Sequence, residues 1–336
     1  MPTRNPPGIA RLARALGLAV LVAACAAPAR TSGLEAAAYQ QFAEEMAREH
    51  DFDADRVFGV LSQAAYQQEI IDAITSPAEA LPWYRYRPIF LTEARIDEGI
   101  AFWDTHESTL NEATARYGVP APVMVAIIGV ESRYGRHRGR HRVLDALRTL
   151  AFDYPPRGDF FRRELKQYFL LAREEGIDLT EPRGSYAGAM GVPQFISSSY
   201  RAYAVDLNGN GRRDLWDEIP DVVGSVANYF ERHGWQPGAP VVDPVSVNGE
   251  AWESLLNDDL KPRSTAAELR GAGVSVPEDV DGGRSAKLLR LEGEDGPEYF
   301  AAYRNFYVIT RYNHSPLYAM AVYQLAEAIA ERRGAR

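Results

Sequence analysis

Cys25 is the only cysteine in a chain of 336 residues. No disulfide can form within the chain, so the fold has to rest on packing alone. Positive charge is also short: lysine and arginine total 37 against 46 acids, a formal net charge of −9. An acidic surface of this kind is a poor general binder of nucleic acid or of anionic lipid. The one dense basic run, RHRGRHR at 136–142, reads as a solvated face or as a contact for anionic substrate groups. Its histidines have no cysteine or acid at ligand spacing, which argues against a zinc centre. No internal repeat is visible.

The first acid comes late. Arg4, Arg11 and Arg14 precede the apolar run ALGLAVLVAA, too short at roughly ten residues to span a bilayer and laid out like a secretory signal. Residues 1–24 hold those three arginines and no acid, which leaves −12 for the rest. Val22-Ala23-Ala24-Cys25 resembles the lipobox of bacterial lipoproteins, whose cysteine is acylated; the other reading is an A-x-A cleavage site with an incidental cysteine. Ala26 is not the aspartate that retains such proteins at the inner membrane, so the lipobox implies an outer-membrane anchor facing the periplasm of a Gram-negative bacterium.

Past a small-residue tether, Phe42, Met46, Phe58, Val60 and Leu61 fall at the inward positions of a helical unit. The proline- and aromatic-rich stretch 77–88 reads as a connection held by Trp83, Tyr84 and Tyr86. One long amphipathic helix is predicted over 92–117, stopped by Gly118 and Pro120. The run VMVAIIGVESRYG at 123–135 then predicts a buried helix, with Pro120 and Pro122 suiting its first turn. Helical spacing puts Glu131 above Ile127 and Ile128 and below Tyr134. Desolvation there disfavours the anion, the condition for a general acid. A structural glutamate paired with Arg133 is the alternative.

Helices are predicted over 144–152 and 160–172, on either side of a Tyr-Pro turn. The glycine-rich stretch 184–195 lets backbone approach a ligand closely, with Ser185 and Gln194 offering hydrogen bonds; this reads as a cleft wall or as a tight connection. Next comes Asp206-Leu207-Asn208-Gly209-Asn210-Gly211, the spacing of the first half of an EF-hand loop. Asp206, Asn208, Asn210 and the Arg212 carbonyl are the candidate calcium ligands, and Gly211 makes the sharp turn. Asp217 or Asp221 would close the site in place of the usual bidentate glutamate. Binding is expected to be weak and structural. Beyond Trp235, the β-branched residues of 241–247 and the strand-like stretches 288–291 and 299–303 predict a small unit with short strands and one short helix from Ser264. Helical pattern returns at 305–315, and Ser315-Pro316 is an N-cap and first-turn pair for a last helix.

Taken together, Glu131-Ser132-Arg133-Tyr134-Gly135, the 184–195 stretch, the calcium-like loop, Gly224-Ser225-Val226-Ala227-Asn228-Tyr229-Phe230 and 305–315 resemble the membrane-bound lytic murein transglycosylase B family. The resemblance implies a mainly α (α+β overall) fold: a lysozyme-like helical core with an N-terminal helical domain and a small inserted β-containing domain. The divisions are a lipoprotein signal at 1–24, a lipid-anchored tether at 25–37, the helical domain at 38–85 and the core at 86–235, with its EF-hand-like loop at 206–217. The insertion spans 236–300, and 301–336 returns to the core. The resemblance makes Glu131 acid and base in cleaving peptidoglycan glycan strands to 1,6-anhydro-N-acetylmuramic acid. It also implies bound Ca2+ and no organic cofactor. Ser185, Gln194, Tyr229, Tyr312, Asn313 and Tyr318 line the cleft in that reading, with Tyr86 and Phe195 holding the glycan. Where the family has an arginine pair after the Tyr-Pro turn, this chain has Pro156 and Arg157, so Arg157 is left alone as the carboxylate contact. The alternatives are a lysozyme-like hydrolase, for which Asp145, Asp153 or Asp159 would have to act as second carboxylate, and a non-catalytic peptidoglycan-binding lipoprotein. Cell-wall synthesis or remodelling proteins are the kind of partner such an enzyme meets.

Overall fold

The computed structural model describes residues 33–76 and 81–335. The signal reading, Cys25 and the tether up to residue 32 lie outside the described residues. The chain runs α1 (Gly33–His50), α2 (Ala54–Leu61), α3 (Gln68–Ile74), α4 (Trp83–Phe90), α5 (Glu93–Thr105), α6 (Glu107–Tyr117), α7 (Ala121–Ser132), β1 (His141–Arg142), α8 (Val143–Asp153) and α9 (Gly158–Glu175). It continues through β2 (Arg183–Gly184), α10 (Ser197–Tyr203), α11 (Ile219–Arg232), β3 (Val242–Val245), β4 (Ser264–Thr265), α12 (Ala266–Gly271), β5 (Ser285–Gly293), β6 (Gly296–Ala302), α13 (Arg304–Tyr312) and α14 (Pro316–Gly334). The class is mainly α with a small antiparallel sheet, as the resemblance implies. Among the described residues no single helix is long and apolar enough to cross a membrane.

Two helical cores form the body. One gathers α4 to α7, α11, α13 and α14, together with Leu289, Leu291 and Phe300 from one face of the sheet. The other gathers α1 to α3 and α8 to α10, with Met190, Phe195 and Tyr229. The sheet, ordered β3-β6-β5-β4, turns its opposite face to α12 to make a third cluster around Ala286, Leu288 and Tyr303. Pro244 fits β3 because that strand is an edge and needs no further N–H there.

Three local expectations are corrected. Residues 81–88 are not an irregular connection, because Trp83, Tyr86 and Phe90 stand at helical spacing. Trp83 and Tyr86 are buried to 1% and 2% exposed, and Pro88 is carried inside α4. The long helix over 92–117 is broken at His106, a polar residue in the apolar stripe whose ring packs on Phe102 at 4.7 Å. The helical pattern also starts earlier than the tether reading allows, since α1 begins at Gly33. The chain then bends by 113° between α6 and α7, with Gly118 left-handed at the corner.

Candidate active site

Helix α7 has no polar face. From Val123 to Gly129 every residue is buried, and fully enclosing side chains such as Ile127 and Ile128 stabilises by about 1.5–3 kcal/mol each. Glu131 lies half-buried in the last turn. The helix stops because Arg133 and Tyr134 both turn left-handed, with φ of 49° and 59°, a conformation that costs roughly 1–2 kcal/mol per non-glycine residue. Their N–H groups return to Gly129 and Ile128 carbonyls, and buried Ser132 accepts from Gly135 N–H at 3.0 Å.

This turn sends both side chains away from Glu131. Arg133 makes a two-pronged bond to Glu98 at 2.8 and 2.9 Å, so the structural alternative pairs it elsewhere. Tyr134 does not wall the acid; it runs between α5 and α7 and donates to the Arg95 carbonyl at 2.9 Å. Its passage needs two glycines, since a Cβ on Gly99 or on Gly129 would stand 2.5 Å from the Tyr134 hydroxyl.

The acid's neighbours come from the far end of the chain. Tyr318, in the first turn of α14, donates its hydroxyl to Glu131 Oε1 at 2.5 Å. Ser315 fixes that turn as the predicted N-cap by accepting from Tyr318 N–H. Tyr312 stacks behind Tyr318 at 6.5 Å and lies 4.9 Å from Tyr229 and 5.7 Å from Phe195. The phenols are tied across the site, Tyr312 to Pro193 O and Tyr229 to Arg311 O, each at 2.5 Å. Burial pushes the hydroxyls of Tyr312, Tyr318 and Tyr229 up, and the charge of Glu131 adds to this, so all three remain proton donors. Tyr312 packs against both helical cores, which places the acid at the seam between them.

The remaining candidates divide by what their side chains touch. Ser185 Oγ accepts from Ala187 and Ala189 N–H, and Gln194, itself left-handed at φ 52°, donates to Gly191 and Arg138 carbonyls. Both therefore brace the 184–195 wall. Tyr86 and Phe195 are each 2% exposed: Phe195 lies behind Tyr229 and Tyr312, and Tyr86 packs on Trp83 and Phe90 within electrostatic reach of Tyr318, so neither offers an open ring face. Asn313 occupies the extended C-cap of α13. Arg157 is exposed over Phe160 at 4.5 Å, with its charge reaching His314. Sequence reasoning missed His233, which stacks on Tyr229 at 4.1 Å; the i,i+4 spacing on α11 was the available signal.

A second carboxylate is not brought to Glu131 by the three named candidates. Asp145 is held by Arg142 and the Ala65 N–H, Asp153 by Arg148 at 2.5 Å, and Asp159 is exposed in the first turn of α9.

The calcium-like loop packs against the N-terminal turn of α11. Asp206 accepts from the N–H groups of Gly209, Asn210 and Gly211, and Asn208 and Asn210 accept from Asn210 and Arg212 N–H. Asp217 faces outward to Arg138 at 3.0 Å, its side chain 80% exposed. Asp221 is fully buried and accepts from Leu207 and Asp214 N–H, both at 2.9 Å. Burial raises its pKa, and the nearby Asp206 raises it further. Among the described residues no three His, Cys, Asp or Glu side chains form a metal group. Two acids beside amide oxygens are instead an all-oxygen donor set suited to a hard cation.

Residues 35–327 match the Transglycosylase SLT domain family. The chain is 42% identical over 304 residues to the membrane-bound lytic murein transglycosylase B of Escherichia coli K12, covering 88% of this chain and 83% of that one. It superposes with a TM-score of 0.84 on the soluble lytic transglycosylase SltB1 of Pseudomonas aeruginosa, 47% identical, over 88% of this chain and 99% of that one. The Escherichia coli lytic transglycosylase Slt35, solved in complex with calcium, matches at a TM-score of 0.79 and 42% identity, over 88% and 93% of the two chains. With Glu131 and the tyrosine wall at the seam of a lysozyme-like fold, the chain belongs to the SLT-domain family and is a peptidoglycan lytic transglycosylase.

Proposed function

We propose that the chain cleaves the β-1,4 bond between N-acetylmuramic acid and N-acetylglucosamine with Glu131 as its one acid and base, leaving 1,6-anhydro-N-acetylmuramic acid. The observation that carries this reading is the Tyr318–Glu131 bond at the core seam, with Asp145 and Asp153 committed to arginines elsewhere. Hydrolases of the usual kind need two carboxylates flanking the bond. Here Glu131 gives its proton to the departing glycosidic oxygen as the C1–O bond breaks. The substrate's N-acetyl group supports the cation that develops at C1. The same carboxylate then takes the proton from the C6 hydroxyl, and O6 bonds to C1. The acid is regenerated and no water enters. The nucleophile belongs to the reacting ring, which supplies the effective-molarity advantage of an intramolecular step. Tyr318 keeps the carboxyl oriented, and Tyr312, Tyr229 and Phe195 hold Tyr318 and the wall behind it.

The loop at 206–221 takes a calcium ion, with Asp206, Asn208, Asn210, the Arg212 carbonyl and Asp221 as its ligands. Asp221 supports this role because it points inward and is buried, whereas Asp217 is turned to Arg138. A bound cation would neutralise the paired acids and fix the entry into α11. Acylation at Cys25 and residence at the outer membrane, facing the periplasm, complete the reading.

The test is mass analysis of soluble muropeptides released from purified peptidoglycan by the wild type and by Glu131→Gln. Anhydro products from the wild type and none from the variant are expected. Reducing-end products would overturn the reading in favour of hydrolysis.

A further inference from the structure

Strand β5 carries a charge where its pattern calls for an apolar residue. Strand alternation puts Lys287 on the same face as Leu289 and Leu291, which pack into the helical core. Lys287 is only 6% exposed. Its ammonium donates to Asn257 O at 2.6 Å and to Asn257 Oδ1 at 3.0 Å. An ammonium has three N–H groups, and the third has no acceptor among the described residues. No carboxylate comes within ion-pair distance of it either; Asp258 and Asp259 act on it only from farther away, and Asp259 is bonded to Arg263. A buried lysine without an acid partner is a costly way to hold a strand in place.

Beside Lys287 lies a groove of about 610 Å³, lined also by Asn257, Asp258, Arg290, His314 and Pro316. His314 and Pro316 flank Ser315, the cap of the turn that carries Tyr318, so the groove borders the turn whose phenol is bonded to Glu131. Arg290 and Asp258 are both exposed, and Asp258 makes no ion pair among the described residues. The groove therefore presents two cationic side chains and one anionic one.

We propose that this groove receives the stem peptide of the peptidoglycan strand, with the Lys287 ammonium bonded to a peptide carboxylate and Arg290 as a second contact at the mouth. The sugars of the strand offer hydroxyls and neutral amides, and the lactyl carboxyl is consumed in the peptide linkage, so the anionic groups of the strand lie on its peptides. Asp258 meets a free amine on the same peptide. The assignment rests on the peptidoglycan reading of the site and adds to it a means of telling peptide-bearing strands from bare ones.

The test compares kcat/KM on peptide-bearing strands with kcat/KM on strands stripped of peptide by an amidase. In Lys287→Met the ratio of the two is expected to fall by about tenfold or more, the loss typical of a charge-assisted bond. Arg290→Gln, at an exposed position where folding is not at stake, should lower it by roughly threefold. Lys287→Arg should restore part of the loss. A ratio that stays at the wild-type value in both Lys287→Met and Arg290→Gln, or equal losses on both substrates, overturns the proposal. If the wild type releases nothing from either strand, the catalytic reading fails by itself. The groove is then decided by calorimetric titration of the full chain with a synthetic stem pentapeptide. Binding that Lys287→Met abolishes upholds the groove, and no binding to the wild type overturns it.

Discussion

Glu131 and Asp221 are both acids at the ends of buried helices, and they are held in opposite ways. Asp221 stands in the first turn of α11 and accepts two backbone N–H groups. A helix N-terminus favours an anion, so this carboxylate is fixed as a structural acceptor. Glu131 stands in the last turn of α7, at the end where the helix dipole opposes negative charge, and it is met by a phenol from another part of the chain. The first arrangement gives each carboxylate oxygen a backbone N–H and holds the group in place as an acceptor, against the burial and the neighbouring Asp206 that raise its pKa. The second leaves the acid's charge to be set by side chains and substrate, which suits one that must lose and regain a proton.

The largest effect that tests this contrast is on activity. Glu131→Gln should lower turnover by roughly a thousandfold, the scale of a lost general acid, with the melting temperature close to wild type; an active variant would end the comparison. At Asp221 the effect should move to stability. Asp221→Ala is expected to lose about 2–3 kcal/mol in chemical denaturation, because the buried Leu207 N–H and the part-buried Asp214 N–H both lose their acceptor. Calcium should raise the wild-type melting temperature and a chelator lower it, with neither changing the variant; equal responses from both proteins would remove Asp221 from the ion site. Tyr318→Phe sharpens the Glu131 side and should cost about tenfold in kcat, as expected for one hydrogen bond to a charged group, with little change in KM.

The smallest effect concerns Glu98. The bond from Arg133 holds its carboxyl below the usual glutamate range, with Arg136 adding to this. The stability it contributes is present above the ordinary glutamate pKa of about 4.3 and is lost as pH falls through its lower folded value. Glu98→Gln should therefore be less stable than wild type at neutral pH by about 0.5–1 kcal/mol, and the difference should close in acid. A gap that widens on acidification would show that Arg133 is not held in this way.

Much of this was legible in the sequence because the signals are local. The run from Val123 to Glu131, the Ser315-Pro316 cap and the strands of the insertion all follow from spacing and turn chemistry within a few residues. What was not legible depends on contacts between distant segments. The left-handed pair Arg133-Tyr134 reverses the direction helical spacing assigns to Tyr134, and only the glycines on two helices make room for it. Trp83 and Tyr86 looked like loop aromatics because the prolines around them outweighed their helical spacing. The roles of Ser185 and Gln194 were read outward, towards a ligand, whereas their polar atoms bond the loop's own backbone. Lys287 carried no signal, since one lysine in a strand reads as a solvent-facing residue until the sheet is packed.

Tyr312 is packed against both helical cores at once. One consequence is evolutionary. Either half of the body could keep a hydrophobic interior of its own, and Glu131 with Tyr318 belongs to one of them, yet Tyr312 behind them is tied to Pro193 O and packed on Phe195 from the other. Recombination that exchanged the second half for a foreign one could preserve folding and still loosen the wall behind the acid, so the two halves are bound to descend together.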